Sequence, residues 1–296
     1  MRIGWIGIGK MGLPMATHLL SAGHRVTACD VVAALLEAIV ARGAAAAADP
    51  AAAARESDVI FSSLPDDAAL RKVALSDKGV LAGARAGATF IDTSTVSPAV
   101  SAQIAEAAAT KRVHYLRVAV SGNNKMAEQK ALTVIASGER ATYEECRPLL
   151  AAFSQQQHYV GEAEQSRTLK LAINLMVYAT VGGLAEALAI GQRGGLDWSQ
   201  MLDVIAGSAV GSPLLKAKSA DLKKRDFAPT FTCVQARKDL GLIAGAAAAN
   251  GVPVPLTDVL SRMIEDCIAN GSADEDYAAM IKSVERLAKE KGPSGS

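Results

Sequence analysis

The chain has 296 residues, enough for two domains that each bury a sizeable core. Its 31 basic and 30 acidic residues leave no electrostatic footprint for nucleic acid or an anionic membrane. Hydrophobic residues make up 50%, but much of this is alanine. No uninterrupted apolar run approaches the roughly 18 residues of a membrane span.

The opening RIGWIG reads as a strand, so no signal peptide is expected ahead of it. It runs into Gly7-Ile8-Gly9-Lys10-Met11-Gly12, then into LPMATHLLSAG with helical period, then into a second apolar run, HRVTACD. Strand, glycine turn, helix and strand within about thirty residues is the context a G-x-G-x-x-G pattern needs before it points to a dinucleotide. Gly7 permits the tight turn and Gly9 lets backbone approach a pyrophosphate. Gly12 lets the helix pack closely on the sheet with its first amides facing the phosphates. Asp30 closes the second strand 18 residues after Gly12, where a carboxylate accepts from an adenosine ribose diol. The next residues are Val31, Val32 and Ala33, with no arginine to meet a 2′-phosphate, so NAD is preferred over NADP.

Strands continue at 58–65 (DVIFSSLP), 88–98 (ATFIDTSTVSP), VHYLRVAVSG, ALTVIASG and QHYVG, with helical segments between them. The alternation predicts a mostly parallel, doubly wound α/β sheet of the Rossmann type over 1–162. Loops at the carboxyl ends of such strands line a ligand crevice, which places Leu64-Pro65 and Ser94-Thr95 beside the dinucleotide. The alanine-rich tract from 43 to 55 is read as helix propensity and compositional bias rather than as a functional segment.

From 163 the strands give way to an all-helical domain extending to 292, opened by one long helix over 163–195 that joins the two domains. Gly194 and Gly195 supply its C-cap chemistry. Further breaks fall at Gly211-Ser212-Pro213, Ala228-Pro229 and 251–255. Residues 293–296 read as a disordered tail. Within the long helix, TLKLAINLMVYA places Lys170 and Asn174 one turn apart on one otherwise apolar face. A lysine set against protein is costly unless paired, and desolvation lowers its pKa toward the range of proton transfer near neutrality. Such a residue at a domain junction lies where a cleft is expected.

Cys29, Cys146, Cys233 and Cys267 are scattered without C-x-x-C spacing, as in reduced thiols of a cytoplasmic protein. The four histidines are dispersed, and no metal site is expected.

Four motifs in order over residues 1 to about 288 resemble the β-hydroxyacid dehydrogenases, the group with 3-hydroxyisobutyrate dehydrogenase and tartronate semialdehyde reductase. GWIGIGKMGLPMATHLLSAGH is similar to that family's cofactor signature, and VAVSGNN stands at its substrate-binding segment. Lys170 with Asn174 matches the catalytic signature, and ARKDLGLI matches the C-terminal lysine motif at Lys238 and Asp239. The resemblance implies an NAD-dependent oxidoreductase that interconverts a small 3-hydroxy acid and its semialdehyde or keto acid. Lys170 would be general acid/base and Asn174 its holder. Ser121, Gly122 and Asn123 would bind the substrate carboxylate. Thr95 would lie near the nicotinamide ribose, Lys238 would close over the cofactor, and Phe231 would wall the substrate pocket. A homodimer or homotetramer through the helical domain is also implied.

The chain departs from the family pattern at several positions. Arg117 stands where an aspartate is usual, and Asn123 replaces a glycine. Glu164 and Ser166 replace the glycines before the catalytic lysine. These put the substrate in question rather than the reaction class, and Arg117 is expected to make a structural ion pair. Two other functions share the plan: an imine reductase and a non-catalytic dinucleotide-binding protein. Lys170 and Asp30 argue against the first. The retained lysine and the lack of a histone- or DNA-binding segment argue against the second.

Overall fold

The computed structural model describes residues 1–290. The tail expected at 293–296 lies outside the described residues. The described residues divide into two compact units, one of residues 1–170 and one from residue 171 onward.

The first unit alternates strands and helices as the hydrophobic pattern predicts. In chain order it holds β1 (Arg2–Ile6), α1 (Gly12–Ser21), β2 (Arg25–Cys29), α2 (Ala33–Val40), β3 (Ala45–Ala46) and α3 (Pro50–Arg55). These are followed by β4 (Val59–Ser62), α4 (Asp67–Leu75), α5 (Val80–Gly83), β5 (Thr89–Asp92), α6 (Pro98–Thr110) and β6 (His114–Ser121). The last are α7 (Asn124–Glu128), β7 (Leu132–Ser137), α8 (Arg140–Ala151) and β8 (Ser154–Tyr159). One sheet runs in the order β3-β2-β1-β4-β5-β6-β7-β8. All neighbours are parallel except β6 and β7, which pair antiparallel from Arg117↔Ser137 to Ser121↔Thr133.

Both faces of this sheet are covered, which explains strands that are apolar throughout rather than alternating. Ile3 and Trp5, Val59 and Phe61, Ile91, Leu116 and Val118 enter one core with α1, α2 and α8. Their neighbours Ile6, Ile60, Phe90 and Tyr115 enter the other with α3, α4 and α6. Period-two geometry assigns the two sets to opposite faces. Trp5 stacks on Phe61 at 4.9 Å, and Phe153 meets both edge-on. The alanine tract departs from its expected helix. Ala45–Ala46 pair with β2, and helix forms only from Pro50, where the Asp49 side chain accepts from Ala52 N–H. An N-cap and a proline set the start, overriding propensity.

The second unit is helical. Helix α9 (Gln165–Arg193) begins in the first unit and continues into the second. It is followed by α10 (Trp198–Gly207), α11 (Pro213–Lys223), α12 (Cys233–Ala249), α13 (Pro255–Ala269), a 3₁₀ turn at Tyr277–Ala279 and α14 (Met280–Glu290). Helix α9 ends where expected, with Gly195 at φ +79° and Leu196 N–H donating back to Gly191. By length and composition α9 could cross a membrane. Its apolar stretch is interrupted by Asn174 and Glu186, and one face forms the core of the unit. Leu171, Tyr178, Val181, Leu184 and Leu188 pack there with Leu240, Leu260 and Ile264. Lys218 clamps Asp276 through both carboxylate oxygens at 2.6 and 2.7 Å, fixing the 3₁₀ turn over which Tyr277 and Phe231 meet edge-on.

Candidate functional site

The turn after β1 sits where the strand order reverses, between β1 and β4, the place at which open α/β sheets bind ligands. Its three glycines have different reasons. Gly7 is left-handed at φ +89°, and a Cβ there would overlap the Ser63 carbonyl oxygen. A Cβ on Gly12 would overlap the Gly7 carbonyl oxygen and lie 3.0 Å from Trp5 Nε1, the donor already bonded to that carbonyl. Gly9 has no positive φ, and a Cβ there would meet nothing within 4 Å. The protein's own packing requires glycine at 7 and 12 but not at 9. A ligand passing close over the backbone would require it, as a pyrophosphate does in this fold. The loop therefore fits a dinucleotide.

Ile8 is fully buried, Met11 half-buried against the core and Lys10 exposed. The Ile8 N–H donates to Asp30 Oδ2 at 2.6 Å, and Val32 N–H donates to Asp30 Oδ1 at 2.8 Å. Asp30 thus braces the glycine turn from the end of β2. Each oxygen keeps a lone pair for a further donor. Val31 and Val32 beside it are exposed. The Cys29 thiol is no nucleophile: burial, then Asp30 and Asp49, pushes its pKa up to about 11.

The loops after β4 and β5 are tied together. Leu64 N–H donates to Ser94 Oγ at 2.8 Å, and both the Ser62 and Ser94 hydroxyls donate to Asp92 Oδ1 at 2.6 Å. This carries Leu64 and exposed Pro65 next to Ser94 and half-buried Thr95.

On α9, Lys170, Asn174 and Tyr178 recur at four-residue intervals and so share one face. Asn174 Nδ2 donates to Asp239 Oδ2 at 2.7 Å, and Tyr178 OH donates to the same oxygen at 3.0 Å. Asp239, on α12, is buried, with Lys238 Nζ 2.7 Å from its other oxygen. An aspartate only accepts, so the Asn174 amide must present its nitrogen inward and its carbonyl oxygen is left to accept elsewhere. The Tyr178 phenol pKa is raised, by burial and then by the Asp239 charge.

Comparisons with known proteins place these features. Residues 2–161 match the family described as the NAD binding domain of 6-phosphogluconate dehydrogenase. Residues 165–284 match NAD-binding of NADP-dependent 3-hydroxyisobutyrate dehydrogenase. The chain is 35% identical to a 2-(hydroxymethyl)glutarate dehydrogenase of Eubacterium barkeri, over 97% of this chain and 96% of that protein. The chain belongs to the β-hydroxyacid dehydrogenase family. The 2-hydroxy-3-oxopropionate reductase of Escherichia coli is 28% identical over 98% of this chain and 99% of its own length. A 3-hydroxyisobutyrate dehydrogenase structure from Salmonella typhimurium superposes with a TM-score of 0.86 at 29% identity, covering 95% and 98% of the two chains. The protein is accordingly an NAD(P)-dependent 3-hydroxyacid dehydrogenase.

In this dehydrogenase the departures from the family pattern have physical partners. Arg117 Nε donates to Glu164 Oε1 at 2.8 Å in a half-buried ion pair, so two of the exchanged positions meet each other. Ser166 is buried. Its hydroxyl donates to Ile135 O at 2.7 Å and accepts from Ala119 N–H at 3.2 Å, bridging β7 and β6. Asn123 uses its side-chain oxygen as the N-cap of α7, accepting from Met126 N–H at 3.0 Å. The expectation that it adds a side chain of donors holds for Nδ2, while the oxygen is committed. Gly122 has φ +134°, and a Cβ there would press on Leu132, so glycine is required. Ser121 ends β6 half-buried. Phe231 is held edge-on by Tyr277 in the helical unit.

Sequence reasoning missed Tyr178 as a second brace on Asp239. It was readable as the next step of the Lys170, Asn174 periodicity. It also missed Arg167, whose partners lie 52 to 75 positions away and carry no local signal.

Proposed function

We propose that the enzyme uses NAD to interconvert a small 3-hydroxy acid and its semialdehyde or keto acid, with Lys170 as general acid/base. The observation carrying this is the helix face shared by Lys170 and Asn174, on which Asp239 fixes the end of the carboxamide left to act. Bound NAD(H) accepts or supplies the hydride. Lys170 Nζ takes the hydroxyl proton during oxidation and returns it to the carbonyl oxygen during reduction. The Asn174 carboxamide oxygen holds the lysine ammonium or the substrate hydroxyl in place. Ser121, the Gly122 backbone and Asn123 Nδ2 bind the substrate carboxylate from the end of β6. Thr95 lies toward the nicotinamide ribose, Lys238 closes over the cofactor, and Phe231 offers one ring face as a pocket wall.

NAD over NADP rests on Asp30 and its neighbours, since a 2′-phosphate would meet a carboxylate and the exposed side chains of Val31 and Val32. A homodimer or homotetramer through the helical unit is also proposed. Ala172, Met176, Gly183, Ala187 and Ile190 are exposed along α9 at three-, four- and seven-residue spacings, with Met176 66% and Ile190 74% exposed. A stripe of that kind marks an interaction surface.

The test is absorbance at 340 nm with 2-(hydroxymethyl)glutarate, 3-hydroxyisobutyrate, glycerate and succinic semialdehyde, each with both cofactors. Lys170→Ala is measured on the best substrate. The expected result is turnover with NAD, lowered about 10²–10⁴-fold in the variant with NADH affinity unchanged. Wild-type kcat in Lys170→Ala would sink the mechanism, and tighter binding of NADPH than NADH would sink the cofactor assignment.

A further inference from the structure

Arg167 stands one turn before Lys170 on α9 and is 1% exposed. All five hydrogen bonds of its guanidinium reach groups distant in sequence. Nη2 donates to Asp92 Oδ2 at 2.5 Å, to Asp92 O at 3.2 Å and to Tyr115 OH at 3.2 Å. Nη1 donates to Ser94 O at 2.7 Å, and Nε to Ser101 Oγ at 3.3 Å. The other Asp92 oxygen holds the hydroxyls of Ser62 and Ser94, and Ser94 Oγ in turn holds Leu64 N–H. One buried pair therefore joins the first turn of α9 to the loops after β4 and β5.

Stability alone does not call for this arrangement. A buried ion pair gains little or nothing over well-packed apolar side chains of the same volume. What a guanidinium supplies is geometry: a rigid planar fork whose donors fix orientation as well as distance. Here all three nitrogens donate, and three of the five bonds go to Asp92 and Ser94, at the end of β5 and in the loop read as the cofactor side of the site. Burial alone would lower the guanidinium pKa. Asp92 and then Tyr115 raise it, and the net shift is upward. Burial pushes the Tyr115 phenol up to about 12. The guanidinium thus keeps its charge and the phenol its proton across the working pH range.

We propose that Arg167 is a positioning residue. Through Asp92 it holds the helix turn that carries Lys170 in fixed register with loops 62–65 and 92–95, so that the proton-transferring amine and the cofactor-side loops move as one piece. The inference rests on the assignment of Lys170 as acid/base, and its test separates the two.

Arg167→Lys keeps the charge but loses the fork. With the best substrate of the panel, kcat is expected to fall at least tenfold while the NADH Kd stays within threefold. In the Lys170→Ala background the same substitution is expected to change residual turnover less than twofold, because it acts through Lys170. Amide exchange supplies a readout independent of substrate. NADH should protect the amides of residues 166–170 in the wild type and no longer do so in Arg167→Lys. Equal losses in both backgrounds, kcat within twofold of wild type, or intact NADH-dependent protection would each overturn the proposal. Should Arg167→Lys lack a native far-UV spectrum, Tyr115→Phe removes one anchor without touching the ion pair. It should lower kcat at least threefold in the wild type and leave the Lys170→Ala background unchanged, and no loss in the wild type overturns the proposal. An active Lys170→Ala enzyme would instead overturn the acid/base assignment itself.

Discussion

The three glycines of the first turn separate what folding demands from what the cofactor demands, and alanine substitutions can measure each. At Gly9 the backbone is one that alanine adopts, and the added methyl meets no protein atom within 4 Å. Gly9→Ala should therefore hold or raise stability by about 0.4–1 kcal/mol, because it restricts the unfolded chain. In melting temperature that is a rise of roughly 1–4 °C for a chain of this size. At Gly12 two effects compete. Alanine is better than glycine inside a helix by about 1 kcal/mol, but its Cβ would overlap the Gly7 carbonyl oxygen and crowd Trp5 Nε1 at 3.0 Å. That oxygen belongs to backbone and is already bonded to Trp5, so it cannot swing aside, and overpacking typically costs about 1–3 kcal/mol. The overlap wins, and Gly12→Ala should lower the melting temperature.

Binding should rank the other way for Gly9. A methyl between the turn and a pyrophosphate should weaken NADH at least about tenfold, roughly 1.4 kcal/mol, in a protein that is as stable as the wild type. Differential scanning fluorimetry and isothermal titration with NADH read the two quantities on the same samples. Wild-type NADH affinity in Gly9→Ala, or a larger melting loss there than in Gly12→Ala, would refute the assignment of the turn.

Asp239→Asn should lower kcat about tenfold and the melting temperature by several degrees. It removes a charged acceptor shared by Asn174 and Tyr178, and hydrogen bonds to charged groups contribute about 1.5–3 kcal/mol each; unchanged kinetics and melting would show that the carboxylate does not orient Asn174. Multi-angle light scattering at micromolar concentration should give a mass at least twice the 30.6 kDa of the chain, and Met176→Glu with Ile190→Glu should reduce it. A wild-type particle of single-chain mass would remove the assembly proposal.

Much of the fold was legible because the signals were local. The glycine turn, the apolar strands and the proline and glycine breaks each act within a few residues, and β1, β2 and β4 to β7 fall within the segments expected of them, while β8 begins three residues ahead of its segment. That Lys170 and Asn174 share one helix face was legible for the same reason, since one helical turn joins them. The alanine tract is helical only from Pro50, because at Ala45–Ala46 an edge-strand pairing outweighs helix propensity and the capped proline sets the start. What the sequence hid was pairing across the sheet. Arg117 and Glu164 are 47 positions apart, and each looked like a separate departure until β6 and the loop before α9 brought them into one ion pair. Asp92 read as an ordinary strand residue because its importance comes from Ser62 on β4, Ser94 in the following loop and Arg167 on α9.

The exchanged residues bear on where substrate choice lies. Glu164 and Ser166 stand in place of flexible glycines, and both anchor the approach to α9, to Arg117 and to the backbones of β6 and β7. Replacing glycine at a compatible position also restricts the unfolded chain. Both effects hold the start of α9 more firmly without presenting a new group to a ligand. Arg117, being paired and buried, does the same from the other side. Asn123 differs. Its oxygen caps α7, which fixes the side chain and leaves Nδ2 as a donor at the end of β6, next to Ser121 and a Gly122 that cannot be replaced. Of the four exchanged positions, it alone retains an uncommitted donor on the proposed carboxylate loop. If the enzyme prefers a hydroxy acid different from those of its relatives, the preference should follow Asn123. Asn123→Gly should broaden or shift the substrate ranking, whereas restoring glycine at 164 or 166 should change stability and leave that ranking in place.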